Sequence, residues 1–107
     1  MYAIVFHKIQ DWAKWKEVFD ESAEERANAG LGQGWILRKA DSPNEIYVVL
    51  NCRSREQAVE LLCSTPLRTM MQRAGVIGEP VIMFYQEELE VRPPMPSHSR
   101  QPGQETY

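Results

Sequence analysis

The run YAIVFHKIQDWAKWKEVFDESAEERANAG, residues 2–30, changes its period part-way along. From Tyr2 to His7 it is a short apolar stretch rich in β-branched and aromatic residues, the composition of a strand. From Trp12 onward the apolar residues recur at helical spacing. Stepping 100° per residue places Trp12, Trp15, Val18, Phe19, Ser22, Ala23 and Arg26 on one side, while Lys14, Glu17, Asp20, Glu21, Glu24 and Glu25 point away. A strand followed by an amphipathic helix opens an α+β fold. A hydroxyl (Ser22) and a guanidinium (Arg26) on the buried side raise the question of what they face.

Outward from this stretch the elements follow in order. Asp11 is a helix N-cap, and Gly30, Gly32 and Gly34 provide the stop and the following turn. QGWILRKA (33–40) reads as a second strand, DSPN (41–44) as a tight turn and EIYVVLNC (45–52) as a third strand in hairpin with the second. Ser54 caps a helix over REQAVELLC. Ser64 and Thr65 before Pro66 start another, PLRTMMQRAG, so the second helical region is divided. PVIMFYQ (80–86) is the fourth strand. The order is βαββαβ, expected to form a four-stranded antiparallel sheet covered by helices, with strands one and three read as a parallel central pair. After Leu89 the composition shifts, with four of the seven prolines in the remaining residues; the reading is a domain over 1–89 and a flexible Pro-rich tail over 90–107.

Both faces of the sheet are apolar. Strand one alternates Ile4 and Phe6 with Ala3 and Val5; strand three alternates Ile46, Val48 and Leu50 with Tyr47 and Val49; strand four alternates Ile82 and Phe84 with Val81, Met83 and Tyr85. One chain has helices enough for one face. The expectation is a homodimer that buries the other face, its rival being a monomer with the tail laid across.

Composition narrows the function. The 107 residues carry 43% apolar content and a net charge of -3, from 12 basic and 15 acidic side chains, with no basic stripe. A nucleic-acid or anionic-membrane partner is disfavoured. There is neither a leader pattern nor a bilayer-length apolar run, and the chain reads as cytoplasmic. Cys52 and Cys63 lack metal or redox spacing and read as reduced and half-buried. With His7 and His98 the only histidines, no metal site is expected.

The segments HKIQDWAKWKEVFDE, DSPNEIYVVL and STPLRTMMQRAGV followed by PVIMF together resemble small bacterial proteins of the dimeric α+β barrel superfamily, over about residues 1–89. That superfamily includes antibiotic-biosynthesis monooxygenases, aromatic polyketide cyclases, muconolactone isomerase and stress-responsive barrel proteins. The resemblance implies a ferredoxin-like dimer with a small, often aromatic or polyketide-like ligand between sheet and helices, and no metal or organic cofactor. Its members often carry a histidine where this chain has Ser22, so a role needing imidazole there is absent.

Two residues are candidates for chemistry. His7 ends strand one; with the central strands parallel it lies beside Asn51 and Cys52, where a neutral imidazole serves as a general base or as a structural anchor. Arg26 is an anchor for an enolate, phenolate or carboxylate, or else a cation complementing its helix C-terminus, with Asp11 or Asp41 as possible partners. Trp15, Phe19, Ser22, Tyr47, Asn51, Met70 and Phe84 are the candidate substrate-binding residues, within a larger set of walls that includes Trp12, Trp35, Met71, Met83 and Tyr85. Cys52 beside His7 is a rival nucleophile without a third orienting group. Arg68 and Arg73 read as a solvated helix face. The leading reading is cofactor-independent cyclisation or isomerisation of a small aromatic or polyketide-like molecule. Its alternatives are cofactor-free oxygenation, in which the substrate carbanion itself reduces oxygen, and a non-catalytic binding dimer. RNA binding on strands one and three lacks the basic and glycine pattern it needs, and regulatory amino-acid-binding domains, which share the topology, normally accompany a catalytic domain.

Overall fold

In a computed structural model, which describes residues 1–95, the elements run β1 (Tyr2–Ile9), α1 (Trp12–Glu21), α2 (Ala23–Asn28), β2 (Leu31–Lys39), β3 (Ser42–Cys52), α3 (Arg55–Leu62), α4 (Thr65–Arg73) and β4 (Val76–Tyr85). His98 and most of the Pro-rich tail, residues 96–107, lie outside the described residues. The sheet order is β2-β3-β1-β4 and every neighbouring pair is antiparallel. This is the expected βαββαβ arrangement with one correction: β1 and β3 run antiparallel, Tyr2 facing Asn51 and His7 facing Ile46. A hairpin joins β2 to β3 and each βαβ crossover keeps direction, so all adjacent pairs alternate. His7 is therefore far along the ladder from Asn51 and Cys52.

Local chemistry explains the helix starts. Asp11, in extended conformation, accepts a 2.9 Å bond from the Lys14 amide. Ser54 and Ser64 accept from Gln57 and Leu67 amides, each at 3.3 Å, and Pro66 occupies the first turn of α4. The first helical region does not run through. At Ser22 (φ -94°, ψ 14°) it breaks, because the Ser22 hydroxyl bonds back to the Phe19 carbonyl at 2.9 Å and its amide is shared between Val18 and Phe19. The single 100° arc ends there, which is why Ala23 is exposed instead of continuing the stripe.

Several strands start earlier than expected. β2 includes Gly32 and Gly34, and β4 begins at Val76. Gly34 is in the strand because the chain comes too close to β3 for a side chain: a Cβ there would sit 1.7 Å from the Val49 carbonyl oxygen. Between Phe6–Val81 and Lys8–Ile77 pairings β1 advances two residues while β4 advances four, so Gly78–Pro80 bulge outward opposite His7, with Gly78 at φ +73°.

Parity sorts the strand residues into two faces. Ala3, Val5, His7 and Ile9 of β1 and Ile46, Val48 and Cys52 of β3 are buried beneath the helices. The main core joins Val5, Ile9, Trp15, Val18, Ile46, Val48 and Ala74; a second, smaller cluster joins Ala3, Leu31, Cys52 and Ala58. The opposite face carries Trp35, Leu37, Tyr47, Val81 and Tyr85, all exposed.

Candidate functional site

A cavity of about 70 Å³, partly open to solvent, lies between the sheet and the helices. Val5 and His7 of β1 and Val48 and Leu50 of β3 form its floor. Trp15, Val18, Phe19, Ser22 and Arg26 form one wall; Leu61, Leu62, Leu67, Met70, Met71 and Ala74 form the other. Nearly all of this is hydrocarbon or aromatic ring.

His7 is 4% exposed, and neither Nδ1 nor Nε2 has a hydrogen-bond partner among the described residues. Its ring packs on Trp15 at 5.6 Å between centroids. Burial in these apolar surroundings lowers its pKa to about 4, so at neutral pH it is an uncharged imidazole with one donor and one acceptor unused. A buried polar group left this way costs about 1–3 kcal/mol, which a structural role in the core would not require.

Arg26 closes the same cavity. Its Nη1 donates to the Phe19 carbonyl at 2.6 Å and to the Ser22 hydroxyl at 2.8 Å, and its guanidinium carbon lies 3.6 Å from the Phe19 ring centroid. Asp11 and Asp41 are not its partners: no carboxylate pairs with it among the described residues. The opening question about Ser22 and Arg26 thus has a double answer. They satisfy the frayed C-terminal carbonyl of α1, and they border a pocket. Desolvation lowers the Arg26 pKa, and the carboxylates of Asp20 and Glu25, near it but not bonded to it, oppose the shift.

Behind Arg26 the aromatic rings of α1 form a column. Trp12 stacks on Trp15 at 5.4 Å, Trp15 on Phe19 at 4.9 Å, and Arg38 covers the far end, 4.2 Å from the Trp12 ring. Two guanidiniums cap a three-ring stack.

Of the residues expected at the site, His7, Arg26, Trp15, Phe19, Ser22 and Met70 come together around the cavity. Tyr47 and Asn51 do not. They differ in parity from Val48 and Leu50, and lie on the opposite face of the sheet, where Tyr47 packs on Phe6 at 4.8 Å. Phe84 shares the helix-covered face but belongs with the second cluster, under Arg55. Cys52 is in that cluster too, its thiol directed to the Ser54 carbonyl, and so is not beside His7; Cys63 is exposed instead of half-buried. Arg68 and Arg73 are exposed as expected, and Arg73 also pairs at the surface with Glu21 of α1 at 2.9 Å. Leu61, Leu62 and Leu67 were not anticipated as lining, although their helical spacing with Ala58 and Met70 marks the buried side. Among the described residues no group of three or more His, Cys, Asp or Glu is placed to hold a metal ion, and no helix is long and apolar enough to cross a membrane.

No family model matches the sequence, and no curated protein matches it. Solved structures do. A Bordetella bronchiseptica protein assigned to the antibiotic biosynthesis monooxygenases aligns with TM-score 0.68 at 14% identity, over 82% of this chain and 96% of its own. The cofactor-independent oxygenase SnoaB of Streptomyces nogalater aligns with TM-score 0.59 at 16% identity, over 82% and 93%. The chain has the ferredoxin-like α+β fold of these monooxygenases. A third such structure, a Streptomyces coelicolor monooxygenase in complex with nanaomycin D, aligns with TM-score 0.58 at 12% identity over 86% and 90%. At these identities the likeness is one of backbone.

Proposed function

We propose that the protein is a cofactor-independent oxygenase acting on a small aromatic molecule with an acidic C–H or O–H bond. The observation that carries this reading is His7, buried, uncharged and without a partner for either ring nitrogen, on an apolar cavity that Arg26 also borders. His7 takes the substrate proton. A pKa near 4 makes it a weak base in the empty pocket, but the imidazolium it becomes is paired at once with the substrate anion, which restores its affinity for the proton. Arg26 holds the negative charge that develops, with the guanidinium nitrogens not committed to Phe19 and Ser22. The carbanion then reduces dioxygen; one oxygen atom enters the substrate as a carbonyl and the other leaves as water, so an activated methylene gives a ketone with no added reductant. The apolar walls keep bulk water away from the anion.

Oxygenation takes precedence over cyclisation because the structural neighbours with a stated activity are oxygenases. The same base serves either reaction. The protein works in the cytoplasm as a homodimer whose exposed sheet faces, with Trp35 59%, Val81 50% and Tyr85 55% exposed, cover each other and leave each cavity under its own helices.

The test is oxygen uptake with dithranol, a tricyclic anthrone with an acidic methylene. Stoichiometric uptake by the purified protein, reduced about 100-fold or more in His7→Gln with the substrate affinity retained, supports the reading. Binding without turnover makes the protein a non-catalytic carrier, and equal rates for His7→Gln and the parent remove His7 from the chemistry.

A further inference from the structure

A second chamber of about 320 Å³ lies on the far side of α4, between that helix and the β4 bulge. Arg68, Met71 and Gln72, spaced three and four apart, line it from the helix; Gly78, Glu79 and Pro80 line it from the bulge. Two side chains, Leu62 and Met71, belong to the walls of both this chamber and the inner cavity. They are the partition between them.

The sizes matter. A dry cavity of roughly 150 Å³ accepts benzene, so the inner one, at about 70 Å³, takes an aromatic ring only when a wall side chain moves. The outer one is large enough for a ligand, yet none of its lining residues is the unpartnered His7. Met71 is unbranched and half-buried, the side chain best able to swing aside without disturbing backbone. The polar groups of the outer chamber are also available: Arg68 and Glu79 both face it, and neither forms an ion pair among the described residues.

We propose that the two cavities are one binding site divided by Leu62 and Met71, and that its substrate is an elongated aromatic hydroxy acid. The reacting ring displaces Met71 and reaches His7. The carboxylate stays in the outer chamber against Arg68 and Gln72, and a hydroxyl donates to Glu79. This rests on the reading of the inner cavity given above and adds a subsite that selects for length and charge. The β4 bulge contributes to the same site, since Gly78, Glu79 and Pro80 line the outer chamber.

The test uses two soluble two-ring probes, 6-hydroxy-2-naphthoate and 2-naphthol, with the full chain labelled at methionine methyls and histidine nitrogens for NMR. The expected result is that 6-hydroxy-2-naphthoate moves the Met70, Met71 and His7 signals together. In Arg68→Gln its affinity falls about tenfold while that of 2-naphthol changes less than twofold, the loss of one charge-assisted contact. Met71→Ala, which thins the partition, raises the affinity of both. Signals that move at Met71 but not at His7 overturn the joined site and leave the inner cavity to its own oxygen-uptake test. Signals that move at His7 with equal affinities in Arg68→Gln overturn the outer subsite alone. Absence of binding by 6-hydroxy-2-naphthoate at millimolar concentration overturns the proposal as a whole.

Discussion

The Arg26 guanidinium lies 3.6 Å from the Phe19 ring and donates a 2.6 Å hydrogen bond to the carbonyl oxygen of that same residue. One side chain thus covers an aromatic face and satisfies a helix end seven residues back in sequence. The contact holds the α1–α2 break at a fixed angle and leaves the rest of the guanidinium to the cavity.

Replacing Arg26 by Met keeps much of the bulk but removes the bonds to Phe19 and Ser22 and the cation on the ring. The expected loss is about 1–2 kcal/mol, seen as a melting temperature several degrees lower. Arg26→Lys restores less than half of it, because an ammonium cannot lie flat on Phe19 while bonding two oxygens. An unchanged melting temperature in Arg26→Met would show that the contact holds nothing in place.

This junction also marks where sequence reading stopped. Period and caps placed the strands, the helix starts at Asp11, Ser54 and Ser64, and the divided second helical region, because those depend on neighbours within four residues. The break at Ser22 comes from its hydroxyl bonding back to the Phe19 carbonyl, which Arg26 also reaches from seven residues on, and a uniform 100° step contains neither bond. The site was legible in its helix half, Trp15, Phe19, Ser22, Arg26 and Met70, for the same local reason. Its sheet half was misread through an error of strand direction, which set His7 beside Asn51. The connections would have corrected the direction, since a crossover keeps it and a hairpin reverses it, and parity would have put Asn51 and Tyr47 on the face away from Val48. The β4 bulge, with Glu79 brought to the outer chamber, needs the β1–β4 register and had no signal beyond an isolated Gly78.

His7 makes stability depend on pH in a stated direction. Its folded pKa, about 4, lies below the unfolded value of 6.5, so between these the unfolded chain binds the proton and the folded chain does not. Stability is therefore full above about pH 6.5 and falls as the pH drops toward 4, by roughly 3 kcal/mol in total. Urea unfolding at pH 7 and pH 4.5 measures this. His7→Leu should flatten the difference between the two pH values, leaving only what the carboxylates contribute. A parent protein equally stable at both would mean that the imidazole is solvated or paired.

Gly34 and Gly32 offer a matched pair within one strand. A Cβ at Gly34 meets the Val49 oxygen at 1.7 Å and the Leu50 Cα at 2.8 Å, both backbone atoms of β3, whereas a Cβ at Gly32 meets nothing within 4 Å. Gly34→Ala is expected to cost about 3 kcal/mol or more, since the β2–β3 pairing itself has to move. Gly32→Ala is expected to change stability by about 1 kcal/mol or less. Chemical denaturation of both variants decides the matter, and comparable stabilities would mean that β2 approaches β3 less closely than described.

The dimer is tested best at a residue that contributes nothing to the protomer's own core. Val81 is half exposed, on the sheet face away from the helices, and pairs with Phe6 of β1. An arginine there is solvated in an isolated protomer, so the fold tolerates it; between two packed sheets the same charge loses its water without gaining a partner, a penalty of several kcal/mol per copy. Sedimentation equilibrium at micromolar concentration should therefore give the mass of two chains for the parent and of one for Val81→Arg, with matching circular dichroism. Trp35→Glu, at the other end of the same face and 59% exposed, should act alike. Because the cavity is lined only by residues beneath the helices, the monomeric variants should still bind 2-naphthol. A parent protein sedimenting as one chain would leave the apolar face without a second copy to cover it.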